Sequence, residues 1–96
     1  MKCNISERVM KDIVVFAKKN SVNKITLFGS RARGTNSQRS DIDIAVYGGD
    51  FDSFYHDIKE QVYSLLSFDI IDASKGISDE LKKEIERDGI VIYEKT

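Results

Sequence analysis

The stretch FGSRARGTNSQRSDIDIAV combines residue types that could hold a metal ion and a phosphate group. Asp41 and Asp43 alternate with isoleucine, so in a strand both carboxylates would lie on one face, opposite an apolar face. Two anions that close repel each other unless a cation lies between them, and Mg2+ is the divalent ion best suited to such oxygen ligands. Taken alone, the pair could equally line a solvated face of an antiparallel strand.

The residues that precede these aspartates are suited to binding an anion. Gly29 permits a sharp turn after a strand, and Ser30 to about Gly34 could form one helical turn. The N–H groups and the positive dipole end of that turn would face a phosphate, with the Ser30 hydroxyl as a further donor. The stretch also contains three basic residues that could contact phosphate, although each could instead be a solvated surface residue: Arg31, Arg33 and Arg39.

A third acid would complete a site for a metal-bound nucleotide, and the segment FDIID offers two candidates. Asp69 joins the carboxylate face if Phe68 and Ile70 face the core, whereas Asp72 joins it if Ile71 does. The first arrangement buries more apolar surface, so we prefer Asp69. Asp72 is then expected to end the strand or to cap the next element.

The elements that must position these residues alternate between helical and β-rich periods, which predicts an α/β fold. One helix is expected to follow a cap at Asn4, a second to run from about Asp52 to Leu66, and a last one to begin after Ser78 and stop at Gly89. Strands are predicted over four segments: residues 24–28, 41–47, 68–72 and 90–93.

Length and composition narrow the possible classes of protein. A chain of 96 residues, 41% of them hydrophobic, predicts a single domain over residues 1–96. Its 15 basic and 16 acidic residues nearly balance, so a basic nucleic-acid-binding protein is not indicated. Cys3 and His56 are the only residues of their types, which excludes a disulfide framework and a cysteine–histidine zinc site within one chain. Because the chain has neither a membrane-length apolar run nor the apolar core of a signal peptide, we expect a cytoplasmic protein with no membrane contact.

The order Gly29-Ser30, ten residues, then Asp41-x-Asp43 resembles the signature of the DNA polymerase beta nucleotidyltransferase superfamily. With GSRARG, SDIDIAV and the closing FDIIDASKGISDELKKEIERDGIVIYE, the chain most resembles the minimal nucleotidyltransferases of bacteria and archaea. The resemblance runs from about Lys24 to Glu94. It implies a mixed β-sheet with helices packed on it, the palm-like fold of polymerase beta.

The resemblance also implies a role for each matching residue. Gly29 and Ser30 would hold the β- and γ-phosphates of a nucleoside triphosphate, ATP being the expected one. Asp41 and Asp43 would ligate two Mg2+ ions, and Asp69 would ligate the catalytic ion and help to activate the acceptor hydroxyl. The implied reaction is attack of that hydroxyl on the α-phosphorus, with pyrophosphate as the leaving group.

The acceptor is the part of the reaction that no residue identifies. Larger relatives carry a second domain that grips the nucleobase or acceptor, so specificity here is expected to come from a loop, a homo-oligomeric copy or another protein. Minimal members are commonly paired with a HEPN-domain protein, often a toxin ribonuclease, and some act as antitoxins by adding AMP to a tyrosine of the toxin. The resemblance thus implies a protein adenylyltransferase. The alternative is a non-catalytic antitoxin that neutralises a HEPN partner by forming a complex with it.

Overall fold

The computed structural model describes residues 5–37, 40–62 and 67–95. Within these ranges helices and strands alternate, which confirms the predicted α/β class. The elements, in chain order, are α1 Glu7–Lys19, β1 Lys24–Phe28, α2 Ser30–Arg33, β2 Ile42–Tyr47, α3 Phe51–Gln61, β3 Phe68–Asp72, a 3-10 turn Ala73–Lys75, α4 Asp79–Asp88 and β4 Ile90–Glu94. None of the helices described in these ranges is long and apolar enough to span a membrane.

The strands form one mixed sheet in the order β3-β2-β1-β4. Strand β1 pairs antiparallel with both β2 and β4, whereas β2 and β3 are parallel. These directions bring the end of β1 and the starts of β2, β3 and β4 together at one end of the sheet, which we call the Phe28 end. The turn after β1 and the residues just before β2 lie at this end as well.

Helices pack on both faces of the sheet. The face covered by α1 and α3 holds the main core, which contains Val9, Ile13, Ala17, Val22, Ile25, Leu27, Ile42, Ile44, Val46, Phe54, Ile58, Phe68 and Ile70. The face covered by α4 holds a smaller cluster of Phe28, Ala45 and Ile85, bordered by Ile71 and Leu81 among others. Since side chains alternate along a strand, Asp43 and Asp69 lie on the α4 face.

The first and third helices differ from the prediction at their ends. Helix α1 is capped by Ser6, whose hydroxyl accepts a hydrogen bond from the Val9 N–H at 3.2 Å, and the expected cap, Asn4, lies outside the described residues. Helix α3 ends at Gln61 because Val62 takes an extended backbone conformation. The rest of its predicted length, residues 63–66, lies outside the described residues.

Helix α4 has the predicted boundaries. Ser78 caps its start by accepting from the Leu81 N–H at 3.2 Å, and the Gly89 N–H donates to Ile85 O at 2.8 Å. Gly89 has an ordinary φ of −67°, so its small size matters here rather than its backbone freedom. A Cβ at this position would overlap Ile85 O and the Thr26 methyl group. The close approach places the last turn of α4 directly before β4, at the Phe28 end.

Candidate functional site

The corner after β1 requires glycine for two separate reasons. Gly29 has φ +75° and ψ −159°, a conformation essentially restricted to glycine, and a one-turn helix, α2, begins at the next residue. A Cβ at Gly29 would also overlap the Asp43 carboxylate. The predicted turn and the predicted acid therefore pack directly against each other, and Ser30, half-buried, starts the helical turn beside them.

Two of the three predicted acids are neighbours across the sheet. Asp43 on β2 and Asp69 on β3 are register partners in the parallel pair, so their backbones lie about 4.8 Å apart. Phe68 and Ile70 are buried, which places Asp69 on the face of Asp43, as preferred from the sequence. Asp72 ends β3 and caps the following turn by accepting from the Ser74 N–H at 3.1 Å.

Asp41 lies just outside the strand in which it was predicted. Strand β2 begins at Ile42, whose N–H donates to Ser67 O at 2.9 Å. Asp41 is exposed, and because it precedes the first ladder pair, strand alternation does not hold it beside Asp43. Its negative charge nevertheless acts on Asp43 and contributes to raising the pKa of that carboxyl.

The electrostatic environment of Asp43 is unusual for a carboxylate. Burial raises its pKa to about 6, with further contributions from the negative charges of Asp69, Asp41 and Glu84, while the positive charge of Arg33 acts in the opposite direction. A carboxyl group perturbed by burial and by several like charges is typical of a functional site. The neighbouring negative charges account for part of the raised pKa, and a bound cation would offset that part.

The predicted phosphate-binding arginines contact protein groups in this structure. Arg31 is buried, and its Nε donates to Ser40 O at 3.0 Å, which ties α2 to the residue before Asp41. Arg33 Nη1 lies 3.4 Å from Asp88 Oδ2 and 3.7 Å from Glu84 Oε1. Arg39 lies outside the described residues. Phosphate binding by these arginines therefore stays a prediction.

Sequence reasoning missed the two acids that α4 brings to this end of the sheet. Glu84 and Asp88 lie four positions apart and so on one face of the helix. The Arg87 side chain donates to Asp88 at 2.8 and 3.0 Å and lowers the pKa of that carboxyl. The i, i+4 spacing indicates that the two acids share a helix face. It does not indicate where that face lies, because α4 is placed by the antiparallel pairing of β4 with β1, which the pattern of residues does not reveal.

The described carboxylates have the chemical type of metal ligands, but their side chains do not converge. Over residues 5–37, 40–62 and 67–95, no three acidic, histidine or cysteine side chains come close enough together to hold a metal ion. The chemistry of the donor set still fits a hard cation, because Asp43 and Asp69 are register partners and Asp69 and Asp41 both raise the pKa of Asp43. These residues thus fit Mg2+ in type and in electrostatics, and their side chains would have to converge to ligate it.

The site thus consists of a glycine corner that packs against Asp43, with Asp69 in register beside it on the next strand of the mixed sheet. The family model described as Polymerase beta, Nucleotidyltransferase matches residues 11–96, and the chain belongs to this family. The superfamily resemblance inferred from the GS and Asp-x-Asp residues is thereby confirmed. A search of curated proteins gives no match.

Solved structures with the same fold include several toxin-antitoxin proteins. One, a toxin-antitoxin with AMP-PNP, is 23% identical with a TM-score of 0.70, and the match covers 91% of this chain and 74% of that one. A mutant of the toxin-antitoxin MntA-HpeT is 22% identical with a TM-score of 0.71 over 91% and 74% of the two chains. A second MntA-HpeT mutant is 24% identical with a TM-score of 0.69 over 97% and 76%. At these identities the similarity establishes the fold.

Proposed function

We propose that this chain is a Mg2+-dependent nucleotidyltransferase that moves AMP from ATP to a hydroxyl group of a HEPN-domain toxin, and so acts as the antitoxin. The observation that carries the proposal is the contact between the Gly29 corner and Asp43, with Asp69 in register beside it. Membership of the nucleotidyltransferase family supports the reaction class. The shared fold with a toxin-antitoxin bound to AMP-PNP supports ATP as donor and a toxin as acceptor. The proposed unit is one domain, residues 1–96, working in the cytoplasm.

At the Phe28 end, one set of residues binds the phosphates and another would hold the metal ion. The first turn of α2 and the Ser30 hydroxyl bind the β- and γ-phosphates, because the Gly29 cap has no side chain to occupy those donors. Asp41, Asp43 and Asp69 would hold Mg2+. When bound, the ion supplies charge neutralisation of the triphosphate and of the leaving pyrophosphate.

The bond changes in the transfer follow from this placement. The acceptor oxygen forms a bond to the α-phosphorus while the bond from that phosphorus to the bridging oxygen breaks, and pyrophosphate leaves with the electron pair. The hydroxyl proton passes to the carboxylate of Asp69, which is exposed, whereas Asp43 is half-buried against Gly29. A protein acceptor therefore approaches from the Asp69 side of the site.

The test follows label from ATP into the partner protein. The chain is incubated with Mg2+, the purified product of the neighbouring gene and ATP labelled at either the α- or the γ-phosphate. We expect transfer of the α-label alone, and loss of transfer in Asp43→Asn and in Asp69→Asn. Asp52→Asn is the matched control, because Asp52 is exposed in the first turn of α3, beyond the opposite end of β2. Transfer of the γ-label, or full transfer by the Asp43 and Asp69 variants, would contradict the proposed reaction.

A non-catalytic antitoxin is the second candidate, and one observation favours it. The acids of the described residues do not converge as a metal site in this structure. Toxicity of the partner in growing cells separates the two functions. If the Asp43→Asn chain neutralises the toxin as well as the unaltered chain does, neutralisation occurs by binding. If only the unaltered chain protects the cells, neutralisation requires the transfer.

A further inference from the structure

The Arg33 side chain lies between two kinds of anionic partner: the acids of α4 and a phosphate that would bind at the Gly29 corner. It lies three residues after Ser30 in α2, so the two side chains share one face of this helical turn. Its side chain is 38% exposed, and its charge acts on Asp43. Arg31, by contrast, is buried with its Nε on Ser40 O. Arg33 is therefore the better placed of these two arginines to reach a phosphate bound at the corner.

In this structure the Arg33 guanidinium faces acids of α4 instead. Its Nη1 lies 3.4 Å from Asp88 Oδ2 and 3.7 Å from Glu84 Oε1. The two acids differ in their exposure and in whether they have a second basic partner. Asp88, whose side chain is 15% exposed, also accepts from Arg87 and keeps that partner if Arg33 moves. Glu84, at 37% exposed, would exchange its ion pair with Arg33 for solvent.

We propose that Glu84 lowers nucleotide affinity by competing with the triphosphate for Arg33. The inference rests on the proposed function, because it requires a triphosphate at the Gly29 corner. A charge-assisted bond from arginine to phosphate is short and strong, whereas the exposed pair with Glu84 at 3.7 Å is weak. Nucleotide binding therefore moves the Arg33 side chain away from α4. Breaking the ion pair with Glu84 reduces the net binding free energy of the nucleotide.

The expected effect of removing the Glu84 charge is a gain in affinity. Glu84→Gln removes one of the two ion pairs of Arg33 and leaves the one with Asp88, which corresponds to nucleotide binding about two- to five-fold tighter. Glu86→Gln is the matched control: it makes the same change on the same helix, but residues two positions apart lie on different sides of a helix, and Glu86 lines a cavity with Lys24 and Tyr47. If Glu84 merely stabilised the fold, its removal would weaken binding instead.

A double-mutant cycle with Arg33 tests the mechanism. Binding of a fluorescent ATP analogue with Mg2+, and of tripolyphosphate, is measured by titration for the wild type, Glu84→Gln, Arg33→Ala and the double variant. We expect Arg33→Ala to weaken binding about ten-fold and Arg33→Lys to weaken it less. In the Arg33→Ala background the gain from Glu84→Gln should largely disappear. Thermal unfolding of each variant verifies that it is folded.

The possible outcomes separate this inference from the function on which it rests. Equal gains from Glu84→Gln with and without Arg33 would mean that the acid repels the nucleotide directly, and would overturn the competition. Equal affinities of the Glu84→Gln and Glu86→Gln variants would overturn it as well. If the wild-type chain binds neither ATP analogue nor tripolyphosphate, the proposed function fails and the inference fails with it.

Discussion

Replacing Gly29 with alanine should damage both the fold and the site, by two effects of separate origin. The backbone at φ +75° and ψ −159° is one that alanine adopts at a cost of about 1–3 kcal/mol. The added Cβ would in addition overlap the Asp43 carboxylate, so that side chain must rotate away from the corner. We expect the free energy of unfolding to fall by about 2–4 kcal/mol, the sum of the strain and a modest overpacking cost.

Gly34→Ala is the control that separates these two effects. Gly34 also has a positive φ, +79°, but an added Cβ would meet no atom of the described residues within 4 Å. Its expected cost is the left-handed backbone penalty alone, about 1–2 kcal/mol. Urea unfolding followed by circular dichroism gives both free energies, and the label-transfer assay gives both activities at a temperature where each variant is folded.

The transfer activities of Gly29→Ala and Gly34→Ala distinguish the two variants more clearly than their free energies of unfolding do. Gly34→Ala should retain transfer once it is folded, whereas Gly29→Ala should lose it because Asp43 is displaced. Equal free energies of unfolding and equal transfer rates for the two variants would refute the reasoning. Such a result would mean that the Asp43 side chain moves aside at no cost and that its position at the corner has no function.

Two further predictions concern pH and packing. In metal-free protein, the pKa of Asp43 is about 6, above its ordinary value of 3.8, so the folded state keeps a proton that the unfolded state has lost. The free energy of unfolding should therefore fall as the pH rises from about 4 to 6, and urea titrations of Asp43→Asn should lack this contribution. Gly89→Ala should destabilise the chain by about 1–3 kcal/mol in thermal or urea unfolding, because the Cβ would overlap Ile85 O and the Thr26 methyl group. A stabilised Gly89→Ala variant, the usual result at a φ of −67°, would contradict the packing argument.

The parts of the fold that depend on local signals could be predicted from the sequence. Alternation in FDIID placed Phe68 and Ile70 in the core and Asp69 on the opposite face, and burial of the two apolar residues confirms that choice. The cap at Ser78 and the stop after Asp88 follow from equally local chemistry. The cap of α1 is Ser6, two positions after the expected Asn4, and both residue types are good helix caps, so local chemistry alone does not choose between them.

The parts that depend on strand pairing could not be predicted. The start of β4 lies opposite Leu27, and only this pairing brings the last turn of α4 to the Phe28 end. For that reason the spacing of Glu84 and Asp88 along the sequence does not by itself indicate a place at the Phe28 end, and the sequence leaves open whether Arg33 contacts phosphate or solvent. Which way a long side chain points depends on charges from distant parts of the chain, and spacing along the sequence does not contain them.

With the proposed function, the distribution of charge at the Phe28 end would make nucleotide binding and cation binding depend on each other. Asp43 is half-buried among negative charges from β3, from the loop before β2 and from α4, and Arg33 is the positive charge that opposes them. A triphosphate that bound alone would take Arg33 away and add its own negative charge, so it would increase the repulsion around Asp43. A cation that arrives with it neutralises both sets of oxygens. Because coupling between two ligands is reciprocal, the acids that repel one another in the absence of a ligand would also make the proposed site selective for a triphosphate that carries its metal ion.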